Sequence, residues 1–372
     1  MTRRTVLSIV GTRPEAVKMA PLIRALASRK KMFRSRVCVT AQHREMLDPV
    51  LRLFDIRPDH DLNLMRENQT LAEITAGALT GLDAVVRRES PDWILAQGDT
   101  TTVLAAGLVG FYHRVRIGHV EAGLRSGDKY RPYPEEINRR VASVVADAHF
   151  APTEQARQNL LREGVSKGSI FVTGNPVIDA LHFAADQPFD PLNSPLAGLP
   201  PEKRWVLVTA HRRENFGEPL VRICEALRIL AQRYAGRVQW IYPVHMNPNV
   251  EQPVRKMLGR NRDITLLSPL EYLPMVHLMK RCDLVLTDSG GLQEEAPGLG
   301  KPVLVMREVT ERPEGVDAGT VRLVGTDERR IVKETSTLLD DQRAYERMAK
   351  AIQPYGDGRA AERIAGILED IA

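Results

Sequence analysis

Short β-branched apolar runs alternate with longer amphipathic stretches through almost the whole chain, and this alternation limits the possible folds more than any other feature. TVLSIV (5–10), RVCVTA (36–41), DWILAQ (92–97), RIGHVE (116–121), AHFAP (148–152) and IFVTG (170–174) read as strands. The segments between them have a helical period; in EAVKMAPLIRALAS (15–28) apolar residues recur three and four apart. Continuous apolar strands separated by helices belong to a parallel sheet covered on both faces. After Gly174 the texture changes. Residues 186–203, DQPFDPLNSPLAGLPPEK, are proline-rich and aperiodic, which marks a loop or linker. The alternation then restarts with WVLVTA (205–210), VQWIYPV (238–244), ITLLS (264–268), DLVLTD (283–288), PVLVM (302–306) and TVRLVG (320–325). The expected architecture is α/β, with two doubly wound domains facing a cleft. Residues 1–173 and a C-terminal helix over 356–372 form the first domain, and 174–355 form the second.

A length of 372 residues suits two domains of moderate size, and 43% hydrophobic content supplies their cores. No run of about 18 apolar residues occurs, so no membrane span is expected. The run Val6–Val10 is too short for the apolar part of a signal peptide and reads as the first buried strand. Cys38, Cys224 and Cys282 are far apart in apolar surroundings, which indicates reduced, buried thiols and a cytoplasmic protein. The net charge of +5 comes from scattered basic residues, and aromatics are only 5% of the chain. That pattern describes a solvated surface rather than a nucleic-acid footprint, and it equally suits an anionic small substrate.

The polar phrases fall where a doubly wound protein binds ligands, directly after strands. DSGGLQEE (288–295) is the most specific of them. A helix that starts at bare glycines offers unpaired N–H groups to an anion, so Ser289, Gly290 and Gly291 form a candidate phosphate cradle. Glu295, about one turn further in, is placed to accept from ribose hydroxyls. The plain alternative is a helix start with glycines for packing and acids complementing the dipole. In GTRPEAVK (11–18), Arg13 and Lys18 stand at another helix start as candidate anion ligands, or as ordinary surface cations.

Asp99 and Glu121 end apolar strands, and Glu135 and Glu136 open a helix in RPYPEE. Carboxylates converging on a cleft serve as general acids and bases when burial or neighbours tune them. A cap or a dipole complement would explain each one singly. His211 follows a strand and heads AHRREN, where it is placed to give a proton to a phosphate or sugar oxygen; His245 lies likewise after a strand. No GxGxxG or HExxH phrase is present and no serine sits in a GxSxG elbow, so no dinucleotide cofactor, metal or serine nucleophile is expected.

Together these phrases resemble one family, the bacterial non-hydrolysing UDP-N-acetylglucosamine 2-epimerases, built from two Rossmann-like domains of the glycosyltransferase-B type. The resemblance runs from GTRPEAVKMAPL (11–22) through GHVEAGLRSGD (118–128), TAHRREN (209–215) and YPVHMNPNV (242–250) to LTDSGGLQEEAPGLGKPVLVMR (286–307), TERPEG (310–315) and PYGDGRA (354–360). It implies interconversion of UDP-N-acetylglucosamine and UDP-N-acetylmannosamine, with UDP eliminated to a glycal and then added back, and with no cofactor. It implies catalytic roles for Asp99, Glu121, Glu135 and His211. Ser289, Gly290, Gly291 and Arg13 would hold the diphosphate and Glu295 the ribose. A loop from Leu270 to Met275 would enclose the uracil, and Arg312 and Lys18 would complete the site. It further implies a homodimer, and a second UDP-N-acetylglucosamine bound as activator by Gln42, Glu136, Arg212 and His245. A glycosyltransferase of the same fold, a hydrolysing relative and a non-catalytic nucleotide-sugar sensor are the competing readings.

Overall fold

The computed structural model describes residues 3–40, 44–66, 68–351 and 353–371, without the side chains of residues 44–46. The chain divides into two compact units, Met1–His182 with Tyr355–Ala372, and Phe183–Pro354. The division falls at 182/183 rather than at 173/174, because the segment after the seventh strand packs with the first unit. There Asp179, on helix Pro176–Ala185, accepts from Ala360 N (3.2 Å) and Ala361 N (2.8 Å). That carboxylate caps the C-terminal helix Ala360–Asp370, which rests on helix Arg13–Ser28.

The first unit holds strands β1 (Arg4–Val10), β2 (Phe33–Val39), β3 (His60–Asp61), β4 (Trp93–Gln97), β5 (Arg116–Val120), β6 (Ala148–Ala151) and β7 (Ile170–Val172). All pair in parallel, in the order β3-β2-β1-β4-β5-β6-β7. The chain winds outward from β1 to β3 and then returns to β4 on the other side of β1. The carboxyl ends of β1 and β4 therefore flank the crevice where such sheets bind ligands. Leu7, Ile9, Ile94 and Ala96 on these strands pack against Leu82 and Val85 of helix Leu71–Glu89 and Val103 and Val109 of helix Thr101–His113. Each such Leu, Ile or Val stabilises the fold by roughly 1.5–3 kcal/mol relative to exposure.

The second unit holds β8 (Arg204–Thr209), β9 (Val238–Pro243), β10 (Ile264–Leu267), β11 (Leu284–Thr287), β12 (Val303–Val305) and β13 (Val321–Leu323). They too are parallel, in the order β10-β9-β8-β11-β12-β13, which puts the crevice at the carboxyl ends of β8 and β11. Val206, Val208, Leu284 and Leu286 form its core with Ile223 and Leu227 of helix Glu218–Arg233. Each apolar run read as a strand overlaps one. The additional strand, β3, is two polar residues pairing with Cys38 and Val39, too short and too polar to leave a periodic signal.

All three cysteines are free and buried, and burial pushes each thiol up to about 12, so they stay protonated. Among the described residues no helix is long and apolar enough to cross a membrane.

Candidate functional site

In the first unit the switch-point loops are held by a residue that sequence reading passed over. Glu15 opens helix Arg13–Ser28 and is only 2% exposed. Its Oε2 accepts from Gly11 N (3.0 Å) and Thr12 N (2.6 Å), and its Oε1 accepts from Thr100 Oγ1 (2.7 Å). One carboxylate thus joins the loop after β1 to the loop after β4. Burial raises its pKa to about 7, against the opposing hydrogen bonds from Thr100, Thr12 and Gly11. The signal for it was the Thr-x-x-Glu capping box at Thr12 and Glu15. Gly11 is required by close approach, since a Cβ there would stand 2.2 Å from Thr102 Oγ1. Arg13 is half-buried at the first helical position.

Glu121 directly follows β5 in the left-handed region, with φ of 62°, a conformation that costs a residue with a Cβ and recurs at functional sites. Lys18 Nζ donates to its Oε1 (2.7 Å) and Oε2 (2.6 Å), Gln97 Nε2 donates to Oε2, and Asn175 Nδ2 reaches Oε1 at 3.4 Å. Lys18, read as a substrate cation, is therefore also the counter-charge of a candidate catalytic acid. Asp99 follows β4, and its Oδ2 is paired with Arg139 through Nε (2.9 Å) and the terminal nitrogen (2.6 Å). Asn138 Nδ2 fixes the Asp99 carbonyl at 2.8 Å.

Glu135 and Glu136 open helix Glu135–Val145 and differ sharply. Glu135 is half-buried, and its Oε2 is buried without a hydrogen-bond partner. Glu136 is fully buried and spent on the fold, accepting from Ser126 N (3.1 Å) and Arg139 (3.2 Å). His119, beneath the Gly98 loop, donates Nε2–H to Gly98 O at 2.7 Å, and burial holds its pKa at about 4, so it is neutral. Gln42 lies outside the described residues.

In the second unit, helix Gly290–Gly298 starts directly after β11 with Ser289 at its cap, and the Ser289 side chain makes no cap hydrogen bond. A Cβ at Gly290 would stand 2.7 Å from an Arg312 guanidinium nitrogen and 3.4 Å from one of Arg212. Two cations thus converge over a helix N-terminus, each adding to the field of the backbone N–H groups. Arg212, read as a ligand of a separate activator site, stands at this cradle. Arg312 is anchored from behind by Glu294, which is almost fully buried. Its neighbour Glu311 binds Arg307 through both guanidinium ends (3.0 and 3.2 Å), and these contacts hold Glu311 at about 2 despite burial. Glu295 is largely buried, with Oε2 3.6 Å from where a Gly291 Cβ would be.

His211 follows β8 and stacks on the exposed ring of His245, with centroids 5.5 Å apart and planes 15° apart. Leu270 is buried, but the segment to Met275 is not a loop. Tyr272 begins helix Tyr272–Arg281, and Met275 N already donates to Glu271 O at 3.1 Å. Pro274 falls within the first turn, where a missing N–H costs nothing.

The arrangement sets two arginines over a helix N-terminus in one unit, and tightly tethered carboxylates at the switch point of the other. Comparison with known proteins gives the same indication. Residues 24–369 match the family model described as UDP-N-acetylglucosamine 2-epimerase. The Escherichia coli K12 protein named UDP-N-acetylglucosamine 2-epimerase is 55% identical over 371 residues, covering 98% of both chains. The Yersinia pestis protein of that name is 56% identical over 374 residues, again covering 98% of both. The crystal structure of the Neisseria meningitidis UDP-GlcNAc 2-epimerase bound to UDP-GlcNAc superimposes with a TM-score of 0.90 at 45% identity, over 98% of this chain and all of that one.

Proposed function

The chain belongs to the UDP-N-acetylglucosamine 2-epimerase family, a family of isomerases, and we propose that it interconverts UDP-N-acetylglucosamine and UDP-N-acetylmannosamine without hydrolysing either. The observation that carries this reading is the cradle at Gly290, where Arg212 and Arg312 converge on a helix N-terminus built for a diphosphate.

In this reading the backbone at Ser289, Gly290 and Gly291 takes the diphosphate with Arg312, and Arg13 and Lys18 add cationic charge. Glu295 accepts from the ribose, and the segment Leu270–Met275 borders the uracil. A base removes the C2 proton while the C1–O bond breaks, its electron pair leaving with UDP, and a glycal forms. A proton then returns to C2 on the opposite face as UDP adds back to C1. Asp99, Glu121 and Glu135 supply the base and the acid, with His211 serving the diphosphate or a sugar oxygen. Holding UDP beside the glycal makes the return unimolecular, worth up to ~7–11 kcal/mol in favourable cases. Cations and N–H donors stabilise the departing diphosphate.

The proposal extends to a second UDP-N-acetylglucosamine acting as activator through Gln42, Glu136, Arg212 and His245. Of these, the buried ties of Glu136 give the least support. A cytoplasmic location, supported by the three protonated thiols, and a homodimer, implied by the family resemblance, complete it.

The deciding experiment is NMR of UDP-N-acetylglucosamine incubated with the protein in heavy water without added NAD. The manno isomer carrying deuterium at C2 is the expected product. Free N-acetylmannosamine with UDP would replace this reading by hydrolysis, and UDP binding without turnover would indicate a transferase lacking its acceptor.

A further inference from the structure

Asp288 follows β11 and is completely buried, and its two carboxylate oxygens are used differently. Oδ2 accepts from His211 N (2.7 Å), Arg212 N (2.8 Å) and Asn215 Nδ2 (3.0 Å). Oδ1 is buried without a hydrogen-bond partner and lies 3.4 Å from Nδ1 of His211. The same group therefore clamps the backbone that carries the ring and faces the ring's inner nitrogen. An ionised carboxylate only accepts, so the tautomer it favours carries its proton on Nδ1 and leaves the Nε2 lone pair bare.

We propose that Asp288 is the positioning residue of His211, fixing the ring's tautomer and stabilising the imidazolium formed when Nε2 takes the proton of a sugar hydroxyl during turnover and later returns it to the same oxygen. The inference rests on the epimerase reading and deepens it, because it says how His211 is prepared to work. The groups facing the ring divide clearly. Burial, the largest influence, lowers its pKa, and the Arg212 guanidinium and the His245 ring act in the same direction. Asp288 alone among these neighbours favours the charged ring. His211 thus rests neutral and takes a proton as an acceptor, and Asp288 is what makes that step accessible.

Asp288→Asn tests this without dismantling the loop. Its carbonyl oxygen still serves the three N–H donors, while its NH2 faces Nδ1 and drives the ring to the opposite tautomer. The expected result is a kcat reduced roughly 10²-fold or more, with KM and the calorimetric affinity for UDP changed less than about threefold. The NMR titration of the His211 ring should move to lower pH. In a His211→Gln background the same substitution should cost little further activity, since both act through one ring. Wild-type kcat in Asp288→Asn, losses that multiply independently with His211→Gln, or UDP affinity lost in step with kcat would each overturn the inference. If the wild-type protein does not convert UDP-N-acetylglucosamine, the functional reading fails. The histidine titration then still decides, and an unmoved His211 in Asp288→Asn overturns the positioning role by itself.

Discussion

Lys18 Nζ spans both carboxylate oxygens of Glu121, at 2.7 and 2.6 Å, with the two side chains 12% and 3% exposed. The pair is buried, so removing one partner strands the other in a medium that poorly solvates it. Lys18→Met is expected to destabilise the first unit by about 2–4 kcal/mol, the Gln97 and Asn175 amides softening the loss. In a unit of this size that lowers Tm by about 5–15 °C in thermal denaturation. Adding Glu121→Gln should restore most of the stability and none of the turnover, which separates the fold's need for the pair from the reaction's.

Gly290→Ala isolates the cradle. Its new methyl would meet Arg312 at 2.7 Å, so the guanidinium must withdraw while the rest of the unit has room. UDP affinity measured by calorimetry should fall about tenfold, the size of one lost charge-assisted hydrogen bond, with Tm nearly unchanged. Arg312→Met should instead lower both affinity and Tm, because the buried Glu294 carboxylate would lose the guanidinium that neutralises it.

Glu15 gives a stability effect with a defined sign. Burial lifts its folded pKa to about 7, above the ordinary value of 4.5, so the folded state binds the extra proton between those values. The stability this group contributes is complete below about pH 4.5 and lost as pH rises through about 7. Glu15→Gln stays neutral and keeps an acceptor for Gly11 N and Thr12 N. Its Tm relative to wild type should therefore climb between pH 5 and 8, by the equivalent of about 1–3 kcal/mol. A flat difference across that range would mean that the carboxylate is not held in a desolvated state.

Glu311 runs the other way. Its pairing with Arg307 holds it at about 2, so its contribution is present above the ordinary value of 4.5 and disappears as pH falls towards 2. Glu311→Gln should cost about 1–2 kcal/mol at pH 7, after allowance for partial exposure, and almost nothing at pH 2. Denaturant titrations at the two pH values check it.

The strands were legible because fully covered parallel strands must be apolar on both faces, which leaves runs such as WILAQ and VLTD in the sequence. The Gly290 cradle was legible because it depends on backbone that only glycine leaves bare. Glu15 and Asp288 were not singled out as site residues. An acidic residue at a helix start or strand end has the same local wording whether it is solvated or sealed, and only tertiary packing decides which. Arg212 was assigned apart from the cradle for a similar reason, since nothing local says which way a long side chain turns. The segment Leu270–Met275 was expected as a loop from the family resemblance alone, and the helix that starts at Tyr272 shows only in its backbone bonding.

The docking of helix Ala360–Asp370 on helix Arg13–Ser28 has a consequence for synthesis. The first unit needs residues made only after the whole of the second unit, although its sheet is finished by Val172. At 5–20 residues per second the nascent sheet waits roughly ten to forty seconds, while the second unit and the closing helix are made, with one apolar helix face uncovered. The second unit, continuous in sequence, has no such delay. The first unit is begun before the second and completed after it.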